Sequence, residues 1–161
     1  MTKLLTLAAM IALPAVAAFA QAPMDAPTYV MKAGAGDQYE IQSSRLVLAS
    51  TKNAKLRSFA TMMVADHTKS TADVKAAATR AGLHPAPPKL DAMGTKNVAA
   101  LRATTGSARD RLYVEQQKGA HQRALMLHQT YAQTGTAAPL KSTAASIAPA
   151  LQTHIGELSS M

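Results

Sequence analysis

Residues 53–82, NAKLRSFATMMVADHTKSTADVKAAATRAG, carry the periodicity that indicates the fold class of this chain. Small, apolar or weakly polar residues recur there in steps of three and four, at Leu56, Ala60, Met63, His67, Ser70, Val74, Ala77 and Ala81. This spacing places them on one stripe of an α-helix, the side that faces the core of a helical protein. Asn53 is a suitable N-terminal cap, and Gly82 is a usual C-terminal stop. The stretch therefore predicts a long helix that packs against other helices along its whole length.

Three other segments of the chain show the same periodicity. They run from about Thr28 to Lys52, from near Ser107 to about Gln133, and from near Pro139 onward. Gly34 and Gly36 weaken the first of these helices, where we expect a break, and Pro149 should bend the last because proline has no amide hydrogen to donate. Hardly any strand-like alternation competes with these patterns, so the fold class is all-α and the expected architecture is a four-helix bundle.

The connection between the second and third long helices is unusually long. It covers residues 83–106 and contains a short helical candidate from Asp91 to Ala103. A connection of this length can cross from one end of the bundle to the other, as it does in ferritin-like topologies. We therefore expect a ferritin-like bundle, although the pattern leaves the direction of the third helix open.

The first twenty residues have the layout of a secretory signal peptide. Lys3 precedes an apolar run from Leu4 to Ala20 that ends in Ala18-Phe19-Ala20, small residues at the two positions that a signal peptidase reads. We predict a signal peptide over residues 1–20, a flexible leader over 21–27 and a single domain over 28–161. No later stretch is apolar enough to predict a transmembrane segment, and the chain has no cysteine for disulfides. The predicted location is the periplasm or the outside of the cell.

The charge of the mature chain limits the classes of binding partner that we expect. Lys3 is the only charged residue of the signal, so sixteen basic residues face nine acidic ones, a net charge of +7. The basic residues are scattered singly, and the chain offers few aromatic rings for base stacking, so we expect no nucleic-acid partner. Attraction to anionic cell-envelope surfaces is compatible with this charge. The sequence does not define an oligomeric state.

Four polar residues interrupt the apolar stripes near the middle of the four long helices: Glu40, His67, His121 and His154. Glu40 lies thirteen residues before Asn53 and His67 fourteen after it, so an antiparallel pair places them at the same height. The same count from the second hairpin brings His121 level with His154. A buried carboxylate or imidazole needs a partner to offset its lost hydration. The layer of these four residues therefore predicts a site.

Several motifs carry a resemblance to a known family. They are GDQYEI at 36–41, FATMMVADH at 59–67, DRLY at 110–113 followed by His121, and His154 near the end. On these motifs, the chain from about Tyr29 to Leu158 resembles the exported bacterial proteins called domain of unknown function 4142. The chain departs from the pattern at Arg109, where an aromatic residue is expected. The resemblance implies a ferritin-like bundle and export, but it implies no activity.

Two interpretations of the layer remain open. In the first it holds one divalent transition metal, such as zinc, copper, nickel or iron. The candidate ligands are Glu40, His67, His121 and His154, with Asp37, Met63 and Asp110 as outer contributors. In the second the layer is a hydrogen-bonded network in a non-catalytic structural or interaction module of the cell envelope. Glu-x-x-His, the motif of di-iron bundles, is missing from the sequence, so a binding or structural role is favoured over an enzyme.

The remaining polar residues have simpler interpretations. Helix capping is the favoured role for Asp37 and Asp110. Asp66 points a quarter-turn away from His67 on the helix, where it should form a salt bridge on the flank. His128 should lie nearer the bundle end, away from the layer, and His84 should be exposed in its proline-rich loop. We expect the methionines to fill the core.

Overall fold

The computed structural model describes residues 23–161, which form five α-helices and no strand. The helices are α1 (Ala26–Leu48), α2 (Ala54–Arg80), α3 (Ala92–Ala103), α4 (Gly106–Thr134) and α5 (Ala138–Ser159). The all-α prediction is thus confirmed. None of these five helices has both the length and the hydropathy needed to cross a membrane. The predicted signal peptide lies outside the described residues.

The α1 helix begins earlier than predicted and is unbroken. Asp25 caps it, because its carboxylate accepts a hydrogen bond from the Thr28 amide at 2.7 Å, so the helix includes the last two residues of the predicted leader. The break expected at Gly34 and Gly36 is absent from α1, and that prediction is wrong. Gly34 instead provides a close contact, since a Cβ there would lie 2.8 Å from the Cβ of Pro88.

The other helix boundaries follow from local capping. Asn53 caps α2 as predicted, accepting from the Leu56 amide at 3.1 Å, and Gly82 ends it with a φ of 78°. Asp91 caps α3 in the same way, by accepting from the Gly94 amide at 2.6 Å. The α4 helix begins at Gly106, next to the predicted Ser107, and α5 continues past Pro149.

The four long helices pack side by side, each against two others: α1 against α2 and α4, and α5 against α2 and α4. Thr51 bonds to Asp110 at one end of α1, and Tyr29 bonds to His128 at the other, so α1 and α4 run antiparallel. Because α1 is also antiparallel to α2 across the hairpin at Asn53, α2 and α4 point the same way. The connection that holds α3 therefore spans the length of the molecule, and α3 packs on α1 and α4.

The core has two apolar clusters. The upper cluster contains Tyr29, Ala33, Val74, Ala77, Tyr131, Leu140 and Ala144, and the lower cluster contains Val47, Phe59, Met63, Leu101, Tyr113 and Leu158. In every long helix, the residues of the polar layer fall between those of the two clusters. The layer thus lies in the middle of the core, where water is excluded from both sides.

Candidate metal centre

The four residues of the predicted layer are all buried. Their exposed fractions are 3% for Glu40, 5% for His67, 0% for His121 and 2% for His154. Their polar atoms must therefore find partners inside the protein.

His67 is held by a buried carboxylate on α1. Its Nδ1 lies 2.8 Å from Oδ1 of Asp37, whose other oxygen accepts from Thr71 at 3.0 Å. Since a carboxylate only accepts, Nδ1 carries the hydrogen. Nε2 of His67 has no hydrogen-bond partner within residues 23–161. Burial lowers the pKa of His67, but the bond to Asp37 and the charges of Glu40, Asp37 and Asp66 outweigh it and leave the pKa raised.

A backbone carbonyl determines which ring nitrogen of His121 carries the hydrogen. Its Nδ1 lies 3.0 Å from the carbonyl oxygen of Gln117, and a carbonyl can only accept, so Nδ1 is the donor. Burial, together with the charges of His67 and His154, lowers the pKa of His121 to about 3. The ring is therefore neutral near pH 7, and Nε2 presents a lone pair.

His154 also has one ring nitrogen that donates and one that is left with a lone pair, but the two nitrogens have exchanged roles relative to His121. Its Nε2 donates to Oδ2 of Asp66 at 3.0 Å, so a neutral ring presents a lone pair at Nδ1. Burial and the charge of His67 lower the pKa of His154, although Asp66 and Glu157 oppose them. Nδ1 of His154 lies 3.3 Å from Nε2 of His121. Two neutral rings would place lone pair against lone pair here, and a cation between them would remove this repulsion.

The three imidazoles form a group with the dimensions of a metal site. One ring nitrogen from each of His67, His121 and His154 lies within 4.8 Å of the other two. Zinc–nitrogen bonds of about 2.0–2.1 Å in a tetrahedral site place two ligand nitrogens roughly 3.3 Å apart. The His121–His154 pair already has that separation. The ring of Phe59 lies beside the group, with its centre 6.4 Å from the ring centres of His121 and His154.

Glu40 does not join this group. Its Oε1 lies 3.7 Å from Nδ1 of His121, the nitrogen that faces away from His154, and its Oε2 has no partner in the described part of the chain. Burial raises the pKa of Glu40 to about 7, against the opposing effects of His67 and Gln117. Equal height along the helices did not decide which side chains meet: Asp37, one turn earlier on α1, reaches His67 instead.

The expected outer contributors occupy three different environments. Asp37 is not a helix cap but the buried partner of His67. Asp110 neither caps α4 nor reaches the layer, because its Oδ2 accepts from Thr51 at one end of the molecule at 2.9 Å. Met63 is fully buried in the lower cluster.

The contacts and burial of several other polar residues and methionines differ in part from the predictions. Asp66 bonds to the layer through His154 rather than forming a separate flank salt bridge, and nothing local on α2 indicated this contact with α5. His128 lies away from the layer, as expected, but it is buried and shares a 2.9 Å hydrogen bond with Tyr29. His84 is exposed, as expected. The methionines at 31, 93 and 126 are 50–65% exposed, so they do not fill the core.

Fold and site together define an all-α protein with a buried group of three histidines between its long helices. The chain belongs to the family described as Domain of unknown function (DUF4142), whose model matches residues 12–161, and the resemblance seen in the motifs is confirmed. A comparison with curated proteins finds no match.

Three solved structures are similar to this chain. A DUF305 fragment from Deinococcus radiodurans has 15% identity and a TM-score of 0.72, with coverage of 84% of this chain and 93% of that one. CopM in its Cu(II)-bound form has 16% identity and a TM-score of 0.68, covering 85% and 96%. A DUF305 protein from Streptomyces coelicolor, described as a candidate secreted protein, has 13% identity and a TM-score of 0.68, covering 83% and 88%. At such identities the likeness shows the helical fold alone.

Proposed function

We propose that this protein binds one transition-metal ion through His67, His121 and His154. The observation that carries the proposal is the convergence of three ring nitrogens within 4.8 Å of one another in the core. On each ring one nitrogen already donates to a carboxylate or a carbonyl oxygen, at Asp37, Gln117 and Asp66, and this leaves the second nitrogen free to bind a metal. Ligating histidines are commonly held in this way, because the outer acceptor fixes the tautomer and makes the ring more basic.

The ligand set restricts the choice of metal. Imidazole nitrogens suit zinc, copper, nickel and iron, and the absence of a carboxylate from the group of three disfavours magnesium and calcium. A structural neighbour of this chain is known in a Cu(II)-bound form, which makes copper the first ion to test. Glu40 lies beside Nδ1 of His121, so its carboxylate would influence that ligand's ring and would not bind the metal itself.

We also propose that the protein is exported and that residues 28–161 form a single ferritin-like four-helix-bundle domain. The end-to-end connection between α2 and α4 supports the topology. The signal pattern at residues 1–20 supports export, as does the candidate secreted neighbour. Protein expressed with residues 1–20 should be recovered from the periplasmic fraction with an intact mass that starts at Gln21. Recovery only in the cytoplasmic or membrane fraction, with residues 1–20 retained, would overturn the export proposal.

The metal proposal is tested by titrating chelator-treated protein, residues 21–161, with Cu(II), Zn(II) and Ni(II). An ion bound only by the folded state raises stability by about 2.7 kcal/mol at a hundred times its Kd. We expect one equivalent to bind and the melting temperature to rise. His121→Ala should abolish this rise, whereas His128→Ala should keep it, since His128 is equally buried on the same helix but lies outside the group.

The competing function is a structural or envelope-interaction module in which the layer is only a polar network. The buried Asp37–His67 pair favours it, because that pair is complete without a metal. This function predicts that, for wild type and for each variant, the melting temperature is the same with and without metal. Nitrogen hyperfine structure from imidazoles in the Cu(II) electron paramagnetic resonance spectrum would support the metal site, and its loss in His121→Ala would assign it.

A further inference from the structure

The three-histidine group is closed to solvent, so an ion needs a route to it. His67, His121 and His154 are exposed by only 0–5%. The carboxylates beside these histidines differ from one another in their exposure to solvent. The side chains of Asp37 and Glu40 are 5% and 4% exposed, whereas that of Asp66 is 44% exposed. Among the carboxylates within 4 Å of these rings in residues 23–161, Asp66 is the one in contact with solvent.

The ring of His154 connects this carboxylate to the interior. Its Nε2 bonds to Asp66 at 3.0 Å, and its Nδ1, on the other side of the ring, lies 3.3 Å from His121. Glu157, one turn further along α5, adds a second negative charge that acts on His154. In a chain whose net charge is positive, these two carboxylates make a local attraction for cations next to the buried group.

We propose that Asp66 is the capture site through which a divalent cation enters, and that His154 is the gate. This inference rests on the proposed function. The Asp66 carboxylate binds the incoming cation and gives up its hydrogen bond to His154. The freed ring then turns and passes the ion inward, where the nitrogens of His121 and His67 complete the site. Nε2 of His121 already presents a lone pair, so the proton to be displaced is the one on Nε2 of a protonated His67, and it leaves for solvent.

The test is the rate at which Zn(II) or Cu(II) associates with metal-free protein, followed by stopped flow at low and high salt. We expect Asp66→Asn, which keeps the size and the acceptor oxygen but loses the charge, to slow association about five- to tenfold at low salt and less at high salt. Asp66→Glu should restore much of the rate. Asp73→Asn is the matched control, because Asp73 lies on the same helix, is 42% exposed and pairs with Lys69 instead of the layer. It should leave the rate unchanged.

A second control separates entry from ligand orientation. Asp37→Asn makes the same chemical change at His67 but in a buried position, so it should weaken binding chiefly through faster dissociation and slow association less than Asp66→Asn does. The entry proposal is overturned if wild type binds one equivalent and Asp66→Asn associates at the same rate. Equal slowing in Asp66→Asn and Asp73→Asn would also overturn it. If wild type binds no metal at equilibrium, the proposed function itself fails. Asp66 is half-exposed, so its variants should fold, which circular dichroism can check.

Discussion

At the scale of single residues, Glu40 shows how burial controls protonation in the layer. Its pKa in the folded protein is about 7, against an ordinary value of 4.5, chiefly because the carboxylate is desolvated. The folded state therefore holds this proton more tightly than the unfolded state does. The corresponding stability is fully present below pH 4.5 and is lost as the pH rises through 7.

Glu40→Gln should remove this pH dependence. Metal-free wild type should lose up to about 3 kcal/mol of unfolding free energy between pH 5 and pH 8 from this group, at about 1.4 kcal/mol per pKa unit. The glutamine variant is neutral throughout and should lose less. Urea unfolding at several pH values measures the difference, and Glu115→Gln, at an exposed site on α4, is the control. Parallel curves for wild type and Glu40→Gln would contradict the assignment.

At the scale of the helices, α1 has two glycines with opposite roles. A Cβ at Gly34 would lie 2.8 Å from the Cβ of Pro88, a rigid atom in the long connection. Apart from its two chain neighbours and the nearby backbone of α1, a Cβ at Gly36 would meet no atom of residues 23–161 within 4 Å. The first glycine therefore allows the connection to pack on α1, and the second only weakens the helix.

Substitution of each glycine by alanine should separate these roles. Gly36→Ala should stabilise the protein by up to about 1 kcal/mol, because alanine is the better helix former. Gly34→Ala should destabilise it by about 1–3 kcal/mol, because the connection must move away from α1. Thermal or urea unfolding of the two variants provides the measurement. Stabilisation by both substitutions would show that Pro88 does not pack tightly on α1.

At the scale of the whole molecule, two apolar clusters hold the four long helices around the polar layer. Phe59 in the lower cluster is 1% exposed, and Leu151, one turn before His154, is 2% exposed. Truncation of either side chain should leave a cavity. We expect Phe59→Ala and Leu151→Ala each to cost about 2–5 kcal/mol. Met126→Ala, at a residue 63% exposed, should cost well under 1 kcal/mol. Equal small losses in all three variants would mean that the helices pack differently.

The local part of the structure could be predicted from the sequence alone. The three-four periodicity predicted four long helices and one short helix, and the cap at Asn53 could be predicted directly because a cap acts within three residues of its own position. Counting from the hairpins also predicted that His67, His121 and His154 share one level. These features depend on neighbours along the chain, so no knowledge of the packing was needed.

Which side chains meet within that level depends on how the helices pack against one another. Asp66 and His154 are 88 residues apart in the chain, and their contact requires a particular rotation of α2 and α5 about their axes. The rotations of α1 and α4 about their own axes likewise determine that Asp37 meets His67 and that Glu40 lies beside Nδ1 of His121. Periodicity fixes the height of a residue on a helix and its broad face. The final rotation and the path of the long connection depend instead on the packing of all the helices together, which couples residues far apart in the chain.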